Sequence, residues 1–129
     1  MKMNYRLALT LAMGIALGAA AFQVLHAQNK PPVYVIVDIS EVTDPGGEKA
    51  NTERTNSAAA ALLTEFGGRF LARTNQISAL DGATPKRILI IAFDSTEQAR
   101  GWYNSPAQQQ VNARRLKATK SRAFIVEGM

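Results

Sequence analysis

A nearly unbroken apolar run over residues 87–93 most constrains how this chain can fold. The run is too short for an independent helix and is rich in β-branched residues, so it predicts a strand covered on both faces. Ser95 follows almost at once and stands three residues before Gln98, which is the capping-box spacing that begins a helix. This helix carries Trp102 and Tyr103 before a Ser-Pro pair breaks it. A buried strand that leads into an aromatic-bearing helix is typical of the core of a small α+β domain.

The first 27 residues have the order of charge and apolarity found in secretory signal peptides. Lys2 and Arg6 precede an uncharged apolar run that ends in small residues. Cleavage after Ala27 or after Ala21 fits this pattern. The alternative is an uncleaved membrane anchor, for which about 20 apolar residues are the minimum. We therefore predict a signal peptide over residues 1–27, secretion to the bacterial periplasm, and no membrane attachment after cleavage.

The predicted mature chain contains neither cysteine nor histidine. The sequence has no Cys, and its single His, His26, lies in the signal segment. These absences exclude Cys or His nucleophiles, Ser-His-Asp triads, ordinary zinc sites and His- or Cys-ligated haem from a chain cleaved after Ala27. We accordingly predict no metal and no cofactor.

The charge of the mature chain is only moderately basic. All ten acidic residues but only thirteen of the fifteen basic ones follow Ala27, which gives a net charge of +3. One cluster of basic residues occurs, formed by Arg114, Arg115, Lys117, Lys120 and Arg122. On a helix such a cluster is more typical of a solvated face than of a nucleic-acid surface, so no nucleic-acid partner is predicted.

After a spacer over residues 28–32, a single domain is predicted over residues 33–129. Residues 33–42 alternate with a period of two, which predicts a strand with one aliphatic face and one mixed face. A turn then leads into a helix that ends at two glycines after Phe66. A second strand begins at Arg69 and is expected to continue past a bend through Ile77 and Leu80.

The last helix begins at Ser105-Pro106 and is predicted to run to about Thr119, with a final strand over residues 122–127. Its apolar residues are Ala107, Val111, Leu116 and Ala118. The resulting order is βαββαβ, the ferredoxin-like arrangement of an antiparallel four-stranded sheet with helices on one face.

The face of the sheet without helices is predicted to be apolar. It should carry Ile36, Ile88, Ile90 and either Phe124 or Ile125, which together form too large a patch to leave in water. A second copy that packs sheet against sheet would cover this patch. We therefore predict a homodimer that closes a dimeric α/β barrel.

Short motifs spread over residues 33–128 form a specific combination. They are Tyr34-Val-Ile, Val42-Thr-Asp-Pro45, Gly67-Gly-Arg-Phe-Leu-Ala-Arg73, Pro85 with Arg87, Phe93 with Ser95, Ala99 with Trp102-Tyr103, Ser105-Pro106, and Arg122 to Gly128. The combination resembles the DUF1330 family of small bacterial proteins. The resemblance implies the dimeric α/β-barrel fold and no established reaction. The family usually has tyrosines early in the first helix, a glycine pair after the second-strand arginine, and a glutamate where this chain has Ala92.

Polar residues on the predicted strands are the candidates for a site. Asp38 lies on the mixed face of the first strand, and Arg73 follows an apolar stretch of the second. If they meet, they form either a structural ion pair or a clamp in which Arg73 binds a carboxylate or enolate and Asp38 moves a proton. Trp102 and Tyr103 are further candidates for ligand contact, although large aromatics on a short helix more often pack in the core or a dimer contact.

Two classes of function remain open. The first is an exported binding module that holds a small molecule in the dimeric barrel. The second is a cofactor-independent enzyme that acts on an enolisable or phenolic small molecule. The missing histidine and the alanine at position 92 favour the binding module.

Overall fold

The computed structural model describes residues 30–129, which form four strands and three helices. Their order is β1 (Val33–Val42), α1 (Pro45–Glu65), β2 (Arg69–Thr74), β3 (Arg87–Phe93), α2 (Thr96–Asn104), α3 (Pro106–Ala118) and β4 (Thr119–Glu127). This order confirms the predicted α+β ferredoxin-like fold, with its second helical connection split in two. The predicted signal peptide and the first two spacer residues lie outside the described residues. Within residues 30–129, no helix is both long and apolar enough to cross a membrane.

The four strands form one antiparallel sheet in the order β2-β3-β1-β4. Strand β3 therefore lies inside the sheet, as its apolar sequence predicts. Its last three residues, Ile91, Ala92 and Phe93, are buried although their side chains alternate between the two faces.

The three helices cover one face of this sheet. Side chains at every second position of β1 point toward the helices and are buried, namely Val33, Val35, Val37 and Ile39. Residues paired across antiparallel strands share a face, so Leu89, Ile91 and Phe93 of β3 lie on the same side. With Leu63 of α1 and Trp102 of α2, these residues form the hydrophobic core.

The opposite face carries no helix from the described part of the chain, and we call it the helix-free face. Ile36 lies at its centre and pairs with Ile90 on one side and Phe124 on the other. Phe124 rather than Ile125 therefore belongs to this face, which decides between the two alternatives left by the sequence. Phe124 and Val126 are each 39% exposed, so the face presents apolar surface.

Capping side chains set the beginning of each helix. The side chains of Asp44, Ser95 and Ser105 each accept a hydrogen bond from the backbone amide three residues later. Ser105 both ends α2 and caps α3. Since Pro106 has no amide hydrogen to donate, α2 cannot continue through it as a regular helix.

A β-bulge in β2 decides which of its residues face the helices. Phe70 and Ala72 pair with consecutive residues of β3, so Leu71 is an extra residue in the strand. A shift of one residue reverses the alternation beyond it. Arg73 consequently pairs with Leu89 and lies on the helix-covered face.

The predicted continuation of the second strand through Ile77 and Leu80 is wrong. Strand β2 ends at Thr74, and residues 75–86 contain no strand. The Gln76 amide donates a hydrogen bond of 2.9 Å to the Thr74 hydroxyl. This local turn competes with strand pairing and ends the ladder.

Candidate functional site

A cavity of about 70 Å³ lies between the helices and the sheet, and we call it the inter-layer cavity. Apolar side chains of the core form one side of it, including Val37, Leu63, Leu89 and Ile91. The other side carries polar and aromatic groups. Sites for drug-sized ligands usually exceed about 300 Å³, so this cavity fits only a very small molecule or a head group.

The polar side of the inter-layer cavity comes mainly from α3. Gln108, Asn112 and Arg115 line the cavity and are only 7%, 4% and 9% exposed. Their spacing of four and three residues places them on one side of the helix. Leu116, one of the apolar residues of this helix, is 57% exposed.

The hydrogen bonds of Gln108 and Asn112 give these two residues a structural role. The Gln108 Nε2 group donates to Asn112 Oδ1 over 3.0 Å, and Asn112 Nδ2 donates to the Tyr103 carbonyl over 3.3 Å. This carbonyl lies in the last turn of α2, where no helical amide follows to bond it. The two carboxamides thus brace the break between α2 and α3.

The charge of Arg115 has no such structural explanation. Its Nη1 group donates to Ser121 Oγ over 2.7 Å, and its Nη2 group lies 3.5 Å from the Tyr103 hydroxyl oxygen. Both partners are neutral, and no carboxylate within residues 30–129 forms a salt bridge with Arg115. A guanidinium stays protonated in proteins, and buried charges normally have an opposite charge beside them. Arg115 is therefore a buried cation that lacks a counter-ion in the described part of the chain.

A second guanidinium reaches the same cavity from the sheet. The bulge in β2 places Arg73 there, and its Nη2 group donates to Asn56 Oδ1 of α1. The guanidinium carbon lies 5.5 Å above the centre of the Phe70 ring, within the range of a cation–π interaction. Burial lowers the pKa of Arg73, and repulsion by Arg87 lowers it further, while attraction by Glu48 opposes both effects.

Arg73 also lines a wider opening, of about 410 Å³, at the end of the sheet. We call it the mouth. Lys86, Arg87 and Glu48 line it as well. Arg87 is neutralised by Glu48, whose carboxylate is 3.2 Å away, whereas Lys86 forms no salt bridge within residues 30–129. The mouth therefore has an excess of positive charge.

The predicted meeting of Asp38 and Arg73 is wrong, because the two residues lie on opposite faces of the sheet. The alternation of β1 places Asp38 on the helix-free face, and the bulge turns Arg73 to the other one. Asp38 instead forms a salt bridge of 3.2 Å with Arg122 of the neighbouring strand. Its Oδ1 atom is buried and has no hydrogen-bond partner in the described structure. Asp38 does not line the inter-layer cavity.

Of the two predicted aromatic residues, Trp102 lines the inter-layer cavity and Tyr103 does not. Trp102 is 5% exposed, packs 5.6 Å from the Phe93 ring and lines the inter-layer cavity. It is therefore a core residue that also faces the cavity. Tyr103 is half-buried, and its hydroxyl contacts Arg115.

The spacing of Gln108, Asn112 and Arg115 along the sequence is a signal that these residues share one face of α3, and it was not used in the prediction. The basic cluster is expected on a solvated helix face, and Lys117 is exposed on α3 as expected. Lys120 and Arg122 are also exposed but lie on β4, and the expectation is wrong for Arg115, which is buried. Polar residues at 108, 112 and 115 share a helical face with Ala118, which is buried. A helix with apolar residues on several sides gives no single apolar stripe from which to choose the inward face.

A shallower groove of about 400 Å³ runs between α2 and the edge strand β4. Tyr103 and Arg100 stand on the α2 side, and Ala123 and Ile125 on the strand side. No polar side chain that is nine-tenths buried lines this groove. The inter-layer cavity is thus the stronger candidate within the described chain.

The model of the family described as "Domain of unknown function (DUF1330)" matches residues 32–129. Among curated proteins, none matches the chain.

Several solved structures have a similar fold at low sequence identity. A protein of unknown function from Rhodopseudomonas palustris is 13% identical, with a TM-score of 0.59, over 85% of this chain and 92% of that one. A dimeric ferredoxin-like protein of unknown function from Jannaschia sp. CCS1 is 11% identical, with a TM-score of 0.56, over 74% and 98%. SnoaB, a cofactor-independent oxygenase from Streptomyces nogalater, is 14% identical, with a TM-score of 0.53, over 77% and 94%. These similarities establish the fold.

Proposed function

Because the chain belongs to the DUF1330 family, which is described without an activity, we propose a function from its own cavity. The family match confirms the resemblance seen in the sequence motifs. The protein binds a small molecule in the inter-layer cavity. The site thus lies between helices and sheet, and not between the two sheets of a dimer.

The observation that carries this proposal is the polar side of the inter-layer cavity. Gln108, Asn112 and Arg115 are each more than nine-tenths buried and face a space with an apolar opposite side. The hydrogen bonds of Gln108 and Asn112 explain the burial of these two residues, but the buried charge of Arg115 costs free energy that an apolar side chain would not. A few polar groups on one side of a largely apolar cavity are the arrangement by which proteins orient a small ligand.

The protein acts as a homodimer that associates through the helix-free face. Ile36, Ile90 and Phe124 form a continuous apolar row across three strands of this face. Burial of such side chains contributes roughly 25 cal/mol per Å² of apolar area. The similar protein from Jannaschia is described as dimeric, which supports the same assembly here.

Export to the periplasm is part of the proposal and is based on the first 27 residues of the sequence. The mature protein should begin at Gln28 or Phe22. Intact-mass measurement and N-terminal sequencing of the protein from a periplasmic fraction will decide between these ends. Recovery of the full-length chain from the membrane fraction would contradict export in soluble form.

A cofactor-independent enzyme is the second candidate, and one contact favours it. The Tyr103 hydroxyl lies 3.5 Å from the guanidinium of Arg115, which lines the inter-layer cavity. A hydroxyl next to a fixed positive charge is suited to move a proton to or from a small enol. SnoaB is described as a cofactor-independent oxygenase, which is consistent with this candidate. The similarity to SnoaB is a similarity of fold.

The binding proposal can be tested with the single tryptophan, because Trp102 lines the cavity. Ligand entry should change its emission when acetate, propionate, acetamide and propionamide are titrated separately. Ala59→Met extends a side chain into the cavity and should abolish the response. Ala58→Met, on an exposed neighbour in α1, is the matched control and should keep it. An equal response in both variants would contradict binding in the inter-layer cavity.

A further inference from the structure

We propose that the ligand of the inter-layer cavity is a small carboxylate, held by Arg115 and reached through the mouth beside Arg73. This inference rests on the proposed function and specifies the chemical class of its ligand.

Arg115 provides the primary contact for the anion. A guanidinium has five N–H donors, and Arg115 uses its Nη1 group on Ser121 while its Nη2 group makes one long contact with Tyr103. Donors therefore remain for a ligand, and the buried positive charge lacks a carboxylate partner within residues 30–129. An anion in the cavity would supply the missing counter-charge. The planar fork of a guanidinium matches the two oxygens of a carboxylate.

The size and the opposite side of the cavity restrict the remainder of the ligand. A cavity of about 70 Å³ is less than half of the roughly 150 Å³ that holds benzene in an engineered protein core. Val37, Leu89 and Ile91 would meet any group attached to the carboxylate. A short aliphatic acid such as acetate or propionate satisfies both restrictions.

The anion enters through the mouth, where Arg73 and Lys86 carry the positive charge that attracts it. Arg73 lines both the inter-layer cavity and the mouth, where Lys86 adds a further positive charge. The charge of Glu48 is already neutralised by Arg87. An excess of positive charge at an opening raises the local concentration of anions. Arg73 would thus contact the ligand on its way in and remain near it afterwards.

The test compares acids with neutral molecules of the same shape on the purified protein. Trp102 emission is titrated with acetate and propionate, and separately with acetamide and propionamide, at constant ionic strength. We expect saturable responses to the acids and at least tenfold weaker binding of the amides. Chloride and phosphate should compete with acetate at least tenfold more weakly than propionate does. Equal competition by these inorganic ions would show a general anion site and overturn the assignment to carboxylates.

Two variants of Arg115 test whether its guanidinium binds the carboxylate. Arg115→Gln should weaken acetate binding at least tenfold, and Arg115→Lys should give an intermediate loss, since lysine keeps the charge and loses the fork. Arg114→Gln is the matched control, because Arg114 bonds Asn51 of α1 and does not line the cavity. It should change the dissociation constant less than threefold. Circular dichroism and thermal melts verify that each variant is folded.

The outcomes separate this inference from the function on which it rests. If amides bind as tightly as acids, or if folded Arg115→Gln keeps its affinity, the carboxylate assignment is wrong while small-molecule binding stands. If neither acids nor amides change the emission of Trp102, both proposals fail. The comparison of acids with amides needs no variant, so it holds even if Arg115→Gln does not fold.

Discussion

Replacing Arg115 by methionine should make the ligand-free protein more stable, although it removes two hydrogen bonds. Arg115 is 9% exposed and has only neutral partners within residues 30–129. Removing one partner of a buried ion pair lowers the free energy of unfolding by about 3–5 kcal/mol, because the other charge is left buried and unpaired. We take this value as the cost of the buried charge of Arg115. Methionine keeps a long apolar stem of similar length and removes that cost.

The opposing loss is smaller. The two hydrogen bonds of Arg115 contribute about 2–3 kcal/mol together, since bonds from charged donors contribute about 1.5–3 kcal/mol and the one to Tyr103 is long. Ser121 is not left without a partner, because Thr119 Oγ1 lies 2.9 Å from its hydroxyl oxygen. The two ranges leave a gain of between zero and about 3 kcal/mol, with a midpoint of about 1.5 kcal/mol. For a domain of this size, the midpoint should raise the melting temperature by about 6 to 12 °C.

Thermal melts and urea titrations of the wild type and Arg115→Met will measure this balance. Arg114→Met is the matched control, because Arg114 donates a bond of 2.7 Å to Asn51 and is less buried. We expect it to be neutral or slightly destabilising. Added acetate should raise the melting temperature of the wild type and leave Arg115→Met unchanged. A fall of the melting temperature in acetate-free Arg115→Met would refute the reasoning and make Arg115 a structural brace.

Three further outcomes are expected from the fold. Ile90→Lys should give monomers or aggregates in light scattering, because it places a charge next to Ile36 on the helix-free face. A dimer that persists in this variant would exclude the helix-free face as the interface. Gly68→Ala should lower the free energy of unfolding in urea melts by about 1–3 kcal/mol, since the added Cβ would lie 2.6 Å from the Phe93 ring. An unchanged free energy of unfolding would mean that the core side chains can move to accommodate the Cβ. Asp38→Asn and Arg73→Met should be additive within about 0.5 kcal/mol, because the residues lie on opposite faces; a larger coupling energy would contradict the register of β2.

Features that depend on neighbouring residues in the sequence were predicted correctly. The alternation of Val33–Val42 gave its buried face, and the serines at 95 and 105 marked the starts of two helices. Each of these signals is local, since a strand has a fixed period and a cap bonds an amide three residues away. The βαββαβ order followed from them.

Features that depend on contacts between elements were missed. In a regular strand Arg73 would share a face with Arg69, but the extra residue at Leu71 reverses the alternation between them. A bulge is fixed by pairing with β3, which no short stretch of β2 reveals. The inward face of α3 is likewise set by packing against α1 and β4, so Arg115 could not be distinguished from its basic neighbours.

The bulge in β2 has a consequence for how this protein tolerates changes in chain length. Leu71 has no partner of its own in β3 and is 52% exposed. Deleting it would leave Phe70 and Ala72 opposite the residues with which they already pair, so Arg73 would keep its place. The edge strand can therefore lose this residue during evolution without moving Arg73. An insertion between Ala72 and Arg73 would instead turn the guanidinium away from the inter-layer cavity.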